Sequence, residues 1–346
     1  MSERNTIGIG VIGLGHWGPH HVRVFSHVRG AEVVAAADPS ADRRRHLENL
    51  YRGLTLVADP IDILNRPDVD AVVIATPART HFELAAAAFE AGKHVLLEKP
   101  MCTTLADAQR LHALAARAGR VMVHGHVFLY NAGIRYLRDG IASGRFGAVQ
   151  YLHATRTNLG PIRNDVNVVA DLATHELTIF DYLLGRSPNW VSATGSRLLG
   201  TAREDVAFVT LEFGDSILAH VHVSWINPQK IRSLTVVGSH RMVVWDDMQP
   251  IEPIRVYDKG VMEEPYYDSF GEFQLRLRDA DIVIPKLALQ EPLRVQAEAF
   301  IRRLTSGEPT PSEAESGVRV VACLEAIQQS LREEGRRIHL AGMAVS

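Results

Sequence analysis

The sequence predicts an α/β protein. An N-terminal domain is built on a doubly wound parallel sheet. A C-terminal α+β domain follows, with a large, open, mostly antiparallel sheet. Three observations carry this. Ile7 to Ile12 is a short β-branched run that breaks into Gly13-x-Gly15-x-x-Gly18 and then into a helical pattern. Strands and helices alternate from there to Val123, the signature of a parallel sheet. From Trp190 the hydrophobic period switches to two, with turns between the runs, as in antiparallel sheets. The expected domains are residues 1–124 and 125–346.

The 346 residues suffice for two domains. With 46% hydrophobic and 22% charged residues, the composition is that of an ordinary globular protein. A net charge of −3 leaves no footprint for nucleic acid or an anionic membrane surface. No apolar run is long enough to cross a bilayer. Cys102 and Cys323 lie far apart, which fits a reducing cytoplasm and excludes a disulfide framework or a cysteine-based zinc site. Met1 to Thr6 leads straight into the first strand, leaving no room for a signal peptide, so a cytoplasmic location is expected. Of 37 basic residues only five are lysines, so a lysine at a meaningful place is informative.

In the opening unit, Gly13 permits the tight turn, Gly15 lets backbone approach a pyrophosphate, and Gly18 lets the helix pack close to the strand. The helix, read as Trp17 to Val28, offers its N-terminal N–H groups and positive dipole end to phosphates. Val33 to Asp38 is the second strand. It ends in Asp38, where a carboxylate accepts from ribose hydroxyls and repels a 2′-phosphate, favouring NAD over NADP. Asp38 can equally cap the next helix. Arg43, Arg44 and Arg45 on that helix can face a phosphate, so Asp38 disfavours NADP without excluding it. Ala71 to Ala75 is a buried strand running into Thr76-Pro77. Thr80 to Ala91 is a helix closed by Gly92, and His94 to Leu97 a strand ending in Glu98-Lys99-Pro100. Asp38, Thr76 and Lys99 all fall at strand ends, where doubly wound sheets bind ligands.

Three motifs together resemble the glucose–fructose oxidoreductase / inositol dehydrogenase / MocA family. They are Gly13-x-Gly15-His16-Trp17-Gly18, Ala75-Thr76-Pro77 followed by His81, and Ala91-Gly92-Lys93-His94-Val95-Leu96-Leu97-Glu98-Lys99-Pro100. The resemblance spans nearly the whole chain and implies an NAD-dependent sugar dehydrogenase. It implies cofactor contacts by Gly13, Gly15, His16, Trp17, Gly18, Asp38, Thr76, Pro77, His81, Glu98 and Lys99. It also places Lys99 beside the nicotinamide and the reacting hydroxyl.

Leu105 to Ala118 is a helix stopped by Gly119, and Val121 to Val123 the last strand of the first domain. His124 and His126 point the same way if the hinge is extended. Without an evident third ligand they line a cleft rather than bind metal, and no metal is expected. The resemblance makes His126 and Tyr130 candidate substrate contacts. Ile134 to Ser143 reads as a helix and Val149 to Thr155 as a strand. The polar run Arg156 to Asp165 reads either as a sugar-binding loop, with Arg156, Asn158 and Arg163 as contacts, or as an exposed connector.

Asp171 and His175, four apart, share one helix face. A carboxylate beside an imidazole orients it and raises its basicity, which suits a general base near neutral pH. The plain alternative is an N-cap Asp171 with a structural His175. The resemblance implies that such a pair serves the sugar hydroxyl. Many members carry a further Asp three residues after the histidine, where this chain has Thr178. In Ile217 to Trp225, Leu218, His220, His222 and Ser224 share the more polar face. Subunit contact is the expected use of that face, since the resemblance implies a homodimer or homotetramer formed through the C-terminal sheet.

Trp245 to Glu272 is acidic: a solvated loop, or the flank of a cationic substrate. Helices are expected over Glu291 to Leu304 and Gly317 to Leu331, bracing both domains.

The expected reaction is oxidation of a secondary sugar hydroxyl, with Lys99, Asp171 and His175 as its machinery. Lys99 and His175 can exchange the roles of base and alkoxide stabiliser. The resemblance is greatest to the branch that oxidises C3 of a nucleotide-linked N-acetylhexosamine or of an amino sugar in antibiotic assembly, the ketone feeding an aminotransferase. Arg156 and Arg163 suit a diphosphate; the acidic run suits an aminoglycoside. Two other classes remain: an NADPH-dependent ketoreductase, which Asp38 opposes, and a non-catalytic NAD sensor, which has no need of Lys99 with Asp171 and His175.

Overall fold

The computed structural model describes residues 6–163, 166–258, 260–262, 276–278 and 281–340. The chain divides into two compact units. The first ends at Asn131 and resumes over Gln290–Ala322; the second comprises Ala132–Leu289 and the chain from Cys323. The break thus falls seven residues beyond the expected 124/125 boundary, and the expected bracing helices are shared out between the units.

The first unit holds β1 (Ile7–Ile12), α1 (Gly18–Phe25), β2 (Ala31–Ala37), α2 (Ala41–Leu50), β3 (Thr55–Val57), α3 (Pro60–Leu64), β4 (Ala71–Ile74), α4 (His81–Glu90), β5 (His94–Leu97), α5 (Leu105–Ala118) and β6 (Met122–His124). The strands form one parallel sheet in the order β3-β2-β1-β4-β5-β6. The order reverses between β1 and β4, the switch point where such sheets bind dinucleotides. Ile9, Val11, Val73, Leu96 and Val123 are fully buried along it, as a sheet covered on both faces requires. Further along the chain, α8 (Pro292–Ser306) joins this core: Phe300 packs edge-on to Phe25 of α1 at 6.3 Å between ring centroids. The chain division falls inside α9 (Ala314–Arg332).

The second unit opens with α6 (Ala132–Ala142) and β7 (Val149–Leu159). A π-helical turn over Val169–Ala173 leads into α7 (Thr174–Leu184). Then come β8 (Trp190–Ser196), β9 (Val206–Phe213), β10 (Ile217–Ser224), β11 (Ile226–Gly238), β12 (Met242–Asp246), β13 (Ile254–Tyr257), the pair β14 (Gly260–Met262) and β15 (Arg276–Arg278), β16 (Ile282–Val283) and β17 (Ile338–His339). Nine strands form one sheet, β16-β13-β12-β11-β7-β10-β9-β8-β17, in which only β7 and β10 run parallel.

β7 runs four residues beyond its expected end, because Arg156 continues the buried phase of Leu152 and Ala154. Opposite it, the register of β11 slips between Ile226 and Ile231, so Asn227–Lys230 stand out of the ladder. Val221 and Val223 of β10 are buried, as are Ile217 and Ala219; on the other face Leu218 is exposed and His220 and His222 half-buried, while Ser224 is buried. Of the acidic run, Glu263, Glu264, Asp268 and Glu272 lie outside the described residues.

Candidate active site

In the first unit the glycine loop is shaped by close approaches. Gly13 has φ +94°, and Gly18 sits so near that a Cβ there would lie 1.9 Å from the Gly13 carbonyl oxygen. A Cβ on Gly15 would meet nothing nearer than an Arg43 nitrogen at 4.0 Å, so the loop's outer side is open. Gly13 also abuts Ala75 and Thr76, which brings the loop to the end of β4. His16 is exposed, and its ring, Trp17 and His20 form an edge-to-face group at the start of α1.

Asp38 is buried at the end of β2. Its Oδ2 accepts from the Leu14 N–H at 2.8 Å and from Arg43 at 3.3 Å; Oδ1 accepts from the Ser40 N–H at 2.8 Å. The cap of α2 is Ser40, whose hydroxyl accepts from the Arg43 N–H, so the capping alternative for Asp38 falls away. An open backbone cradle at a helix start, with a carboxylate at the neighbouring strand end, fits a dinucleotide.

The remaining residues expected on the cofactor, together with Tyr130, expected on the substrate, divide into two kinds. Thr76 is half-buried and accepts from the Thr80 hydroxyl, and Pro77 precedes the short turn that carries Thr80. His81, Glu98 and Tyr130 instead turn inward. The ring nitrogens of His81 lie 2.8 and 2.9 Å from the carbonyls of Pro100 and Thr76. Burial pushes its pKa down against the pull of these carbonyls. Glu98 accepts from buried His21 at 2.8 Å and from the Lys99 N–H at 3.2 Å. Its carboxyl fits only because residue 125 is glycine: a Cβ there would lie 2.8 Å from it. Tyr130 pairs its hydroxyl with Ser312 at 2.8 Å. Side chains spent this way position strand-end loops.

Lys99 stays half-buried at the end of β5. It is close enough to His126 to help lower that imidazole's pKa, burial being the larger cause and His124 the next. Burial also pushes His124 down to about 4. Both rings are therefore neutral near pH 7. They lie 5.5 Å apart, at the end of β6 and just past it. Among the described residues no group of three His, Cys, Asp or Glu side chains is placed to hold a metal.

In the second unit Asp171 lies within the π turn, a device often found at functional sites. It is not the N-cap: its N–H donates to the Asn167 carbonyl, and the Asn167 side chain accepts from the Ala170 N–H at 3.1 Å. The Asp171 carboxylate accepts from Arg163 at 3.3 Å and from the indole of Trp225 at 3.2 Å. From Ala173 to Asp181 every residue is buried except His175, which is half-buried. Thr178 is buried, its hydroxyl donating to the Thr174 carbonyl.

The expected sugar loop is corrected in part. Arg156 belongs to β7, is 2% exposed and pairs with buried Glu176 of α7; its charge is neutralised within the fold. Asn158 donates to the Gly160 carbonyl. Asn164 and Asp165 lie outside the described residues. Sequence reasoning missed Trp225 and Asn167. The available signals were a buried indole, whose N–H needs a partner, and an Asn just before a helical run.

A parallel sheet with a glycine loop at its switch point and a lysine at a strand end defines a nucleotide-dependent oxidoreductase. Comparisons agree. Residues 7–126 match the family model for GFO/IDH/MocA oxidoreductases with an NAD-binding Rossmann fold, and residues 134–244 match the GFO/IDH/MocA C-terminal domain. The chain is 27% identical to a myo-inositol 2-dehydrogenase of Thermotoga maritima, over 94% of this chain and 96% of that one. It is 28% identical to a UDP-N-acetylglucosamine 3-dehydrogenase of Acidithiobacillus ferrooxidans, over 90% and 93%. A solved structure of a 3-dehydrogenase of that name from the same organism superposes with a TM-score of 0.81 at 26% identity, covering 95% of this chain and 98% of that one. The chain belongs to the GFO/IDH/MocA oxidoreductase family, and its first unit is the NAD-binding domain.

Proposed function

We propose that this enzyme oxidises a secondary hydroxyl of a sugar, at C3 of an amino sugar, to the ketone that an aminotransferase then consumes. The observation that carries this reading is His175. It is the one half-buried side chain in the otherwise buried stretch from Ala173 to Asp181, four residues from a carboxylate fixed by two donors. The His175 imidazole takes the hydroxyl proton, with Asp171 orienting the ring. The Lys99 ammonium stabilises the negative charge that develops on the oxygen. NAD, when bound, supplies the hydride acceptor.

Arg156 and Arg163 both have carboxylate partners within the chain. This favours an aminoglycoside, which brings no diphosphate to be held. The nucleotide-linked sugar is the second reading, supported by the near full-length similarity to the UDP-N-acetylglucosamine 3-dehydrogenase. We place the enzyme in the cytoplasm, in keeping with two free, buried thiols. We assign homodimer or homotetramer contact to the sheet face that carries Tyr151, Phe208 and Leu218, each nearly half exposed.

The test is formation of reduced nicotinamide from NAD or NADP with three substrates: an aminoglycoside bearing a free 3-hydroxyl, UDP-N-acetylglucosamine, and myo-inositol. Each assay is repeated with an aminotransferase and amino donor as trap. Turnover of the aminoglycoside with NAD is expected. Turnover of myo-inositol alone would overturn the amino-sugar assignment, and reduction of a ketone by NADPH alone would reverse the direction. Lys99→Ala is expected to bind NAD normally and lose about 10²-fold in kcat; unchanged kcat would remove Lys99 from the mechanism.

A further inference from the structure

Asp171 is held from two sides by groups of different kinds. On the solvent side, the Arg163 guanidinium meets Oδ1 from a loop and is itself 40% exposed. On the inner side, the indole N–H of Trp225 donates to Oδ2, and Trp225 is 1% exposed. The indole has little freedom. Its backbone N–H donates to the Asp205 carbonyl, and its carbonyl accepts from the Gly160 N–H, both at short distance. Asp205 is in turn buried and accepts from the Leu199 N–H at 2.7 Å. Trp225 therefore ties three things together: the start of β9, the loop that carries Arg163, and the carboxylate.

We propose that Trp225 is a positioning residue for the Asp171–His175 pair, its buried N–H fixing the orientation of the carboxylate. The proposal rests on the reading of Asp171 and His175 as the proton-transfer pair. A donor to an ionised carboxylate is among the stronger hydrogen bonds, and in a dry setting it fixes orientation as well as charge. Arg163 is a poorer candidate for this task. It is long and 40% exposed, whereas the indole is buried on a backbone bonded on both sides.

The fold alone does not demand this contact. Phenylalanine fills nearly the same space without the N–H, so Trp225→Phe removes the donor and keeps the packing. That variant is expected to lose about tenfold in kcat, with KM within about twofold of wild type. The acid limb of its kcat/KM profile moves to higher pH, because a carboxylate deprived of a donor binds its own proton more tightly and holds the imidazolium more strongly. A structural defect would lower the amount of folded enzyme without moving that limb. Trp245→Phe, at an equally buried indole elsewhere in the sheet, should leave the limb in place.

Kinetics use whichever of the three substrates turns over. An inactive Asp171→Asn beside a Trp225→Phe with wild-type kcat and pH limb overturns the proposal alone. An Asp171→Asn of wild-type activity overturns the reading beneath it. If Trp225→Phe does not fold, or no substrate turns over, the proton resonance of the Trp225 indole N–H in 15N-labelled protein decides. Replacing its charged acceptor by Asp171→Asn moves that resonance upfield, and an unmoved resonance overturns the proposal.

Discussion

The strand ends of the first unit and the Asp171 corner of the second are built in opposite ways. Around Gly13 and Lys99 the architecture is made of close backbone approaches. Gly18 lies against Gly13, Gly13 against Ala75, and Gly125 against Glu98. Around Asp171 it is made of side chains sent from afar. Trp225 comes 54 positions later; the Asn167 side chain is bonded to Glu204 and to Gln328, 37 and 161 positions on. The first kind fails by addition of an atom, the second by loss of one.

Gly18→Ala tests the first kind and carries the largest expected effect. Its new methyl overlaps a backbone carbonyl, which no rotamer can relieve, so α1 must move away from the loop. A loss of about 3 kcal/mol or more in stability is expected, with NAD affinity falling with it. Calorimetry with and without NAD reads both, and a wild-type thermal midpoint would mean the approach is looser than described.

A second break of the first unit uses protons. Folded His124 remains neutral down to about pH 4, whereas the unfolded chain takes the proton near 6.5. The unfolded state then binds more protons between these values, so stability is full above about pH 6.5. It declines as pH falls towards 4, by about 3 kcal/mol for this ring, and is flat below. His126 adds to the loss in the same direction. Urea unfolding at pH 7, 5.5 and 4.2 should show the decline, and His124→Gln should flatten it. An equal decline in that variant would assign the sensitivity elsewhere.

The second kind of construction is probed by Asn167→Ala. It removes a cap and three side-chain bonds at the turn that carries Asp171. A cost of about 1–2 kcal/mol is expected, together with a drop in kcat, since the lost side-chain bonds hold the turn that carries Asp171. A stability loss with unchanged kcat would show that the turn keeps its shape without the cap.

The contrast also explains what the sequence could and could not disclose. Glycines that permit close approach stand in fixed, short spacings, so Gly13, Gly15 and Gly18 announce themselves, as do Asp38 and Lys99 by falling at strand ends. The fold class follows from the glycine loop, the alternation of strands and helices, and the change of period. Arg156 was legible in principle, since its phase along β7 matches Leu152 and Ala154, yet its polarity points to a loop. Asp171 reads equally as a cap until Asn167 is seen to occupy that role. Trp225 reads as one more apolar position in an alternating run, because the group that uses its N–H lies on another element. Pairings between elements leave no local trace.

The excursion Asn227–Lys230 bears on how such an enzyme can change over generations. It leaves the β11 ladder after Ile226 and rejoins at Ile231 with pairing intact on both sides. It is closed on itself by the Asn227 side chain, which accepts from the Gln229 N–H, and tethered by one bond from Thr157. Pro228, Gln229 and Lys230 face solvent. Side chains exchanged at Pro228, Gln229 and Lys230 disturb no ladder bond, and the Gln229 carbonyl that buried Thr157 uses is main chain, while Trp225 sits two positions upstream of Asn227. Selection can rework this rim freely and leave the machinery beside it untouched.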